Sequence, residues 1–189
     1  MTGFALHFVR EQVATSPRSP FFLYVPYTVP HANFEVPDLG IYADKPWTDD
    51  EKAYAAMITR MDGDVGRLLR LLDELSIANN TIIFFCSDNG AADRYDGTFD
   101  SSGQLRGRKR DMYEGGIRTP MVVRWPGRIA AGAVCDVPWM FADFLPTAVS
   151  LAQAELPAAP SIDGSSIVPT LLGKEQPELA DRFFLLGVL

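Results

Sequence analysis

An acid, an amide and a glycine follow an apolar run in the stretch 86-CSDNG-90. Asp88 and Asn89 offer a carboxylate and an amide carbonyl, which are the hard oxygen donors that Ca²⁺ and Mg²⁺ prefer. Gly90 allows the backbone to turn sharply directly afterwards. The same three residue types are also common in ordinary turns. The stretch therefore predicts either a tight turn or a metal site at the end of a strand.

Four basic residues lie close together in the later loop 105-LRGRKRDMYEGGIR-118, namely Arg106, Arg108, Lys109 and Arg110. The formal net charge of the chain is -7, which disfavours nucleic acid as the partner of this loop. Two interpretations remain. The loop is either a solvated surface or a pocket for a small oxyanion, in which one ammonium group approaches the anion as a point charge.

A histidine, His31, lies in the proline-rich loop 26-PYTVPHANFEVPD-38. In that position it can hydrogen-bond an oxyanion or a leaving-group oxygen, although a single loop histidine is often incidental. The other histidine of the chain, His7, falls in a predicted helix, and we assign it no role.

These residues need a sheet to position them, and three apolar runs are predicted to be strands. In open α/β sheets, ligands collect outside the carboxyl ends of the strands, where loops diverge. The loops of His31, of Asp88 and Asn89, and of the basic group leave or face such ends. The predicted strands, of which the first is expected to be buried on both faces, are 21-FFLYV-25, 81-TIIFFC-86 and 120-PMVVRW-125.

The clearest predicted helix begins at 48-TDDE-51, where Thr48 and Glu51 can form a capping box. Its end is predicted at Asn79 and Asn80. Asp62 and Asp64 resemble calcium-loop spacing but have no further ligands at the required positions, so that we expect a helix face there. The apolar stripe of this helix is expected to pack on the sheet and consists of Tyr54, Met57, Ile58, Met61, Val65, Leu68, Leu69 and Leu72.

Helical patterns also open and close the chain. A short amphipathic helix is predicted before Pro17. A second helix is predicted over 141–154, with Pro146 in its first turn and Asp143 as its cap, and a helical turn over 167–173. The alternation of buried strands and helices is typical of an α/β layered sheet.

The composition fits one globular domain. The chain has 189 residues, of which 47% are hydrophobic and 22% charged. No apolar stretch approaches the roughly 20 residues that span a bilayer, and the N-terminus shows no signal peptide. Cys86 and Cys135 have neither zinc-site nor disulfide spacing, and we expect both to be buried.

The ordered combination of motifs resembles the type I sulfatases, the arylsulfatase-like members of the alkaline phosphatase superfamily. The most telling elements are SDNG and YEGGIRTP, with a lysine four residues before the tyrosine. The resemblance implies a three-layer α/β/α sandwich, of which residues 1–189 are the second half of the catalytic domain. The motifs that carry it are PYTVPHANFEVPD, IIFFCSDNG, LRGRKRDMYEGGIRTPMVVRWPG, FADFLPTAVSLA and IDGSSIVPTLLG.

The resemblance implies roles for those residues of this chain whose positions match the family motifs. Asp88 and Asn89 correspond to a second pair of Ca²⁺ ligands. His31 corresponds to the histidine that contacts the sulfate and its leaving oxygen, and Lys109 to the lysine that binds a sulfate oxygen. Both would be catalytic and substrate-binding residues. The other three basic residues of the loop receive no role.

This chain also departs from the family pattern, and the departures are as informative as the matches. The family nucleophile is a formylglycine made from a cysteine in a Cys-x-Pro-Ser-Arg type motif, and no such motif occurs in these 189 residues. The first pair of metal-binding acids and the smaller C-terminal subdomain are also missing, and the apolar C-terminus is typical of a fragment. We therefore expect an incomplete Ca²⁺ site and no hydrolysis of sulfate esters by this chain alone.

The leading hypothesis is thus a segment of a sulfuric ester hydrolase. The alternatives are a non-catalytic remnant or module that binds anions or sulfated glycans, and a phosphatase or phosphodiesterase of the same superfamily. The second is disfavoured because only two histidines are present. The sequence leaves the substrate, aryl or glycan, undetermined. Members of the family are typically secreted, periplasmic or lysosomal, but this chain does not indicate its own location.

Overall fold

A computed structural model describes residues 1–156 and 162–182. The apolar segment 183–189, on which the expectation of a fragment partly rested, lies outside the described residues. The chain divides into two compact units. The first comprises Met1–Thr81 and Cys86–Pro120, and the second comprises Ile82–Phe85 and Met121–Leu189.

The first unit is organised by two helices, α1 (Thr2–Thr15) and α2 (Asp49–Glu74). The predicted capping box is present at the start of α2, because Thr48 Oγ1 accepts from the Glu51 amide and the Glu51 carboxylate accepts from the Thr48 amide. Within this unit α2 packs against α1. Asp62 and Asp64 lie inside α2, as predicted for a helix face.

Helix α2 ends earlier than the predicted stop at Asn79 and Asn80. Ser76 has a φ of 59°, and its amide donates to the Asp73 carbonyl while the Ile77 amide donates to the Leu72 carbonyl. These two bonds form a Schellman motif. The prediction was wrong because a serine here occupies the left-handed position that glycine or asparagine usually signals.

Residues 21–25 are not a strand buried on both faces, as their apolar composition predicted. They pair with no strand among the described residues. Exposure alternates along the segment, and the side chains of Phe22 and Tyr24 are 70% and 75% exposed. The apolar composition predicted burial on both faces, whereas only alternate residues face the rest of their unit.

The remainder of the first unit is loop with short helical segments. Half-buried aromatic rings hold part of it together: Phe34 contacts Tyr54 and Tyr95, and Phe99 contacts Tyr54 and Trp47. The long loop predicted from Asp88 to Gly116 thus contains helical turns. The short segments of this unit are Gly40–Tyr42, Ala78–Asn80, Asp93–Tyr95, α3 (Asp96–Phe99) and α4 (Glu114–Ile117).

Two strands, β1 (Ile83–Cys86) and β2 (Met121–Arg124), pair to form the sheet of the described residues. Both fall inside predicted strands. Phe84 on β1 contacts the rings of Trp139 and Phe144. The helical segments of the second unit are Phe141–Asp143, α5 (Phe144–Leu151), α6 (Val168–Leu171) and α7 (Pro177–Ala180), so that the predicted helix and helical turn are both present.

Asp143 has a different role from the predicted helix cap. Its side chain is fully buried and makes no capping bond to α5. Instead, its carboxylate accepts from both Nη atoms of Arg182 at 2.8 and 3.0 Å, and from the backbone amides of Ser165 and Met140. Burial alone raises the pKa of Asp143, but the bonds from Arg182 and the two amides outweigh it and lower the pKa below its ordinary value.

The expectation that both cysteines are buried was wrong, since Cys86 and Cys135 are exposed. Cys86 ends β1 at the rim of the sheet, and Cys135 lies in irregular chain after β2. Among the described residues, no helix is long and apolar enough to cross a bilayer.

Candidate functional site

The loop after β1 is held by a close approach between two backbones. The Gly90 amide donates to the Gly116 carbonyl at 2.9 Å. A Cβ atom at Gly90 would lie within 3.0 Å of backbone atoms of Gly115 and Gly116, so that only glycine fits there. Gly90 of the SDNG motif therefore holds the loop of Asp88 and Asn89, the candidate metal ligands, against the YEGG segment.

The YEGG glycines extend this contact to the basic loop. A Cβ atom at Gly115 would overlap the Gly107 backbone, and one at Gly116 would overlap the carbonyls of Asp111 and Arg108. The Lys109 amide also donates to the Ala91 carbonyl at 2.7 Å. These contacts bring the loops of Asp88 and Lys109 into one cluster, which we call the glycine-packed cluster (residues 88–91 and 106–116).

Lys109 lies at the tip of a β-turn inside this cluster. The Asp111 amide donates to the Arg108 carbonyl at 2.8 Å, and the Asp111 carboxylate accepts from the Arg108 amide. Arg110 has a φ of 84°, which makes this a type II turn with Lys109 and Arg110 as its central residues. Lys109 is half-buried and Arg110 is exposed.

The oxygen donors at Asp88 and Asn89 fit Ca²⁺ in type but are few in number. Asn89 Nδ2 donates to the Gly90 carbonyl at 3.0 Å, which orients the amide and leaves Oδ1 as its ligating atom. The exposed Asp88 carboxylate has no hydrogen bond or ion pair with any described residue. Across residues 1–156 and 162–182, no three His, Cys, Asp or Glu side chains form a group that could hold a metal ion. The two oxygens thus provide a minority of the six to eight that Ca²⁺ takes.

His31 lies on a neighbouring loop of the same unit and is exposed. Its Nδ1 is 3.1 Å from the Ala32 carbonyl, which can only accept, so that Nδ1 donates and Nε2 is left for another partner. Phe34, three residues further on, packs against Tyr95 in the chain that follows Asp88 and Asn89. No contact within the described part of the chain joins the His31 side chain to the glycine-packed cluster.

Cys86 adjoins the metal-type residues but is a poor nucleophile. Although it is exposed, nearby protein desolvates its thiol and raises its pKa, and the negative charge of Asp88 raises the pKa further. The thiol therefore stays protonated at neutral pH, and the attacking form, the thiolate, is scarce.

The structure distinguishes basic residues of the loop that have polar contacts within the described part of the chain from those whose side chains have none there, a distinction that the sequence could not make. Arg106 is held by Tyr113: its Cζ lies 3.7 Å from the ring centroid, and its Nη2 donates to Tyr113 Oη at 2.8 Å. The backbone of Arg108 closes the turn, whereas the side chains of Lys109 and Arg110 have no hydrogen bond or ion pair with any described residue. The Lys109 ammonium and the Asp88 carboxylate, on two loops that the glycine contacts join, are groups that can bind an anion and a cation respectively.

Comparisons with known proteins identify the family of the chain. The Sulfatase family profile matches residues 4–154. The chain is 36% identical over 181 residues to the N-acetylgalactosamine-6-sulfatase of Canis lupus familiaris, covering 94% of this chain and 32% of that protein. It is 38% identical over 167 residues to the steryl-sulfatase of Rattus norvegicus, covering 84% and 27%. The chain thus spans about a third of the length of these relatives.

Solved structures give the same result. The chain matches Ps i-CgsB in complex with k-i-k-neocarrahexaose at a TM-score of 0.81 and 30% identity, covering 93% of this chain and 38% of that one. It matches the PsFucS1 sulfatase from Pseudoalteromonas sp. at a TM-score of 0.75 and 28% identity, covering 93% and 34%. These likenesses confirm the predicted α/β fold of the alkaline phosphatase and sulfatase type, of which this chain forms a part.

Proposed function

The chain belongs to the sulfatase family, and we propose that it forms the Ca²⁺- and sulfate-binding half of a site that hydrolyses sulfate esters. The observation that carries this proposal is the glycine-packed cluster. It brings the loops of Asp88, Asn89 and Lys109 together while leaving the Asp88 carboxylate and the Lys109 ammonium without a partner among the described residues.

Asp88 and Asn89 would hold the metal ion through one carboxylate and one amide oxygen. When bound, Ca²⁺ supplies a Lewis acid that withdraws charge from a sulfate oxygen. Because these two residues provide few of the oxygens that Ca²⁺ needs, we expect this chain alone to bind the ion with low affinity.

Lys109 would bind a sulfate oxygen as a point charge and stabilise the negative charge that develops as the S–O bond breaks. Its position favours this role, because the type II turn and the bond from its amide to Ala91 fix its backbone. His31 would face the leaving oxygen through Nε2. With Nδ1 committed to the Ala32 carbonyl, a protonated ring donates from Nε2, and a neutral ring accepts there.

The nucleophile has no candidate in the chain. Neither Cys86 nor Cys135 begins a Cys-x-Pro-Ser-Arg type motif, and the pKa of the Cys86 thiol is raised. We therefore propose that this polypeptide alone binds sulfate esters without cleaving them. We propose an aryl sulfate or a sulfated glycan as its ligand; of the relatives, one is named for the sugar N-acetylgalactosamine and one for a sterol.

Equilibrium binding of 4-nitrophenyl sulfate tests the proposal. We expect weak binding that Ca²⁺ strengthens, with no release of 4-nitrophenol. Lys109→Met should abolish the binding, and Asp88→Asn should remove the effect of Ca²⁺. Arg18→Gln is the matched control, since it removes one exposed charge from a turn of the same unit.

The outcomes separate the alternatives. Release of 4-nitrophenol by the purified chain would show that a nucleophile is present and that the proposed half-site is wrong. Calcium-independent binding of a sulfated sugar, without turnover, would favour the binding module. Binding that survives Lys109→Met would overturn the role of Lys109.

A further inference from the structure

Arg110 adopts a backbone conformation that its residue type disfavours. Its φ of 84° lies in the left-handed region, at the third position of the type II turn closed by Arg108 and Asp111. That position favours glycine or asparagine, because a Cβ atom crowds the backbone there. An arginine costs stability at this point, and strained residues of this kind cluster at functional sites.

No structural role within the described residues offsets this cost. Arg110 is exposed, and its guanidinium has neither an ion pair nor a hydrogen bond with the described part of the chain. The neighbouring basic residues differ: Arg106 stacks on and bonds to Tyr113, and Arg118 pairs with Glu114 at 3.5 Å. The chain as a whole is acidic, with a net charge of -7. A free guanidinium beside Lys109 is therefore available to an external anion.

We propose that Arg110 is a specificity-determining residue that binds a second anionic group, a further sulfate on a glycan whose first sulfate contacts Lys109. This inference rests on the proposed function of Lys109. Lys109 and Arg110 are consecutive at one turn tip, so that two anionic groups on one or adjacent sugar rings can meet them together. The planar guanidinium suits a sulfate, because two of its N–H groups can bind two oxygens at once.

The test compares two chondroitin disaccharides, one with a single 6-O sulfate and one with sulfates at 4-O and 6-O. The intact chain should bind the disulfated sugar about tenfold more tightly, which is the strength of one charge-assisted contact. Arg110→Gln and Arg110→Gly should both remove this preference while leaving the affinity for the monosulfated sugar unchanged.

Thermal stability provides an independent readout. Arg110→Gly should raise Tm by about 2–4 °C, because it removes the strain of the left-handed conformation. A purely structural role predicts a lower Tm. Arg18→Gly is the matched control, since Arg18 occupies the same position of the Ser16–Ser19 turn, is exposed and has no positive φ. Arg18→Gly should leave the preference for the disulfated sugar unchanged and should not raise Tm.

The failures are distinguishable. If the intact chain binds both sugars equally, or if the Arg110 variants keep the preference, the inference is wrong and the function of Lys109 stands. If neither sugar binds, the proposed function fails and the inference fails with it.

Discussion

The Gly90 amide donates a 2.9 Å hydrogen bond to the Gly116 carbonyl, in a contact too close for any side chain at Gly90. This bond joins the SDNG and YEGG segments, which are 26 residues apart (116 − 90). It gives a physical reason for the glycines of both motifs, which position the acidic and basic loops next to each other.

Gly90→Ala should therefore destabilise the first unit by at least about 2 kcal/mol, because the new methyl group overlaps backbone that cannot move away cheaply. Urea unfolding followed by circular dichroism measures the change. Gly63→Ala is the control, since a Cβ atom at Gly63 meets nothing within 4 Å. This change in the interior of α2 should stabilise the protein by about 0.5–1 kcal/mol. Equal effects of the two substitutions would contradict the packing role of Gly90.

Ser76→Gly should stabilise the chain by about 0.5–1 kcal/mol. Ser76 adopts the left-handed conformation at the end of α2, where glycine has no Cβ penalty. The gain should appear as a higher Tm in differential scanning calorimetry. Ser16, after α1, has a φ of -142°, and Ser16→Gly should not stabilise. A lower Tm for Ser76→Gly would show that the serine side chain has a role of its own.

The buried pair of Asp143 and Arg182 predicts that the free energy of unfolding decreases at low pH. The pKa of Asp143 is lowered in the folded chain, so that the unfolded chain binds this proton more readily. The stabilisation is complete above the unfolded pKa of about 3.9 and is lost as the pH falls through the lower folded pKa. Asp143→Asn should cost about 3 kcal/mol at pH 7 and much less in acid, where the carboxylate is protonated anyway.

Urea unfolding between pH 2 and 7 checks this, with Trp125 and Trp139 reporting on the second unit in a Trp47→Phe background. Asp163→Asn is the control, because Asp163 is exposed and makes no described side-chain contact. A constant difference between the intact chain and Asp143→Asn across this range would contradict the assignment.

The sequence predicted features whose signals are local. The capping box of Thr48 and Glu51 depends on residues three apart, and the strand before SDNG on a continuous apolar run, so that both were found. Pairs distant in sequence had no such signal. Asp143 and Arg182 are 39 residues apart, and nothing in either local pattern indicates the other. The family resemblance named Asp88, Asn89, His31 and Lys109, whereas only the structure showed that glycine contacts join the loop of Asp88 and Asn89 to the loop of Lys109.

The prediction of a buried strand at residues 21–25 was wrong for a different reason. The composition of residues 21–25 indicates an extended apolar segment, and the observed alternation of exposure is consistent with one, but composition does not show how many neighbours the segment has. Burial on both faces depends on other elements of the fold, and among the described residues no strand lies beside this segment.

The reactivity of Cys86 tests the central claim most directly, that Asp88 and Asn89 bind Ca²⁺. The Cys86 thiol senses the charge of Asp88, which raises its pKa. A cation held by Asp88 should lower that pKa, which increases the thiolate fraction and so the rate of iodoacetamide alkylation at pH 8. Cys135 of the second unit serves as the internal control. We predict that millimolar Ca²⁺ accelerates alkylation of Cys86 but not of Cys135, and that Asp88→Asn removes the effect. An unchanged Cys86 rate with Ca²⁺ up to about 10 mM, beyond the weakest protein sites, would contradict the account.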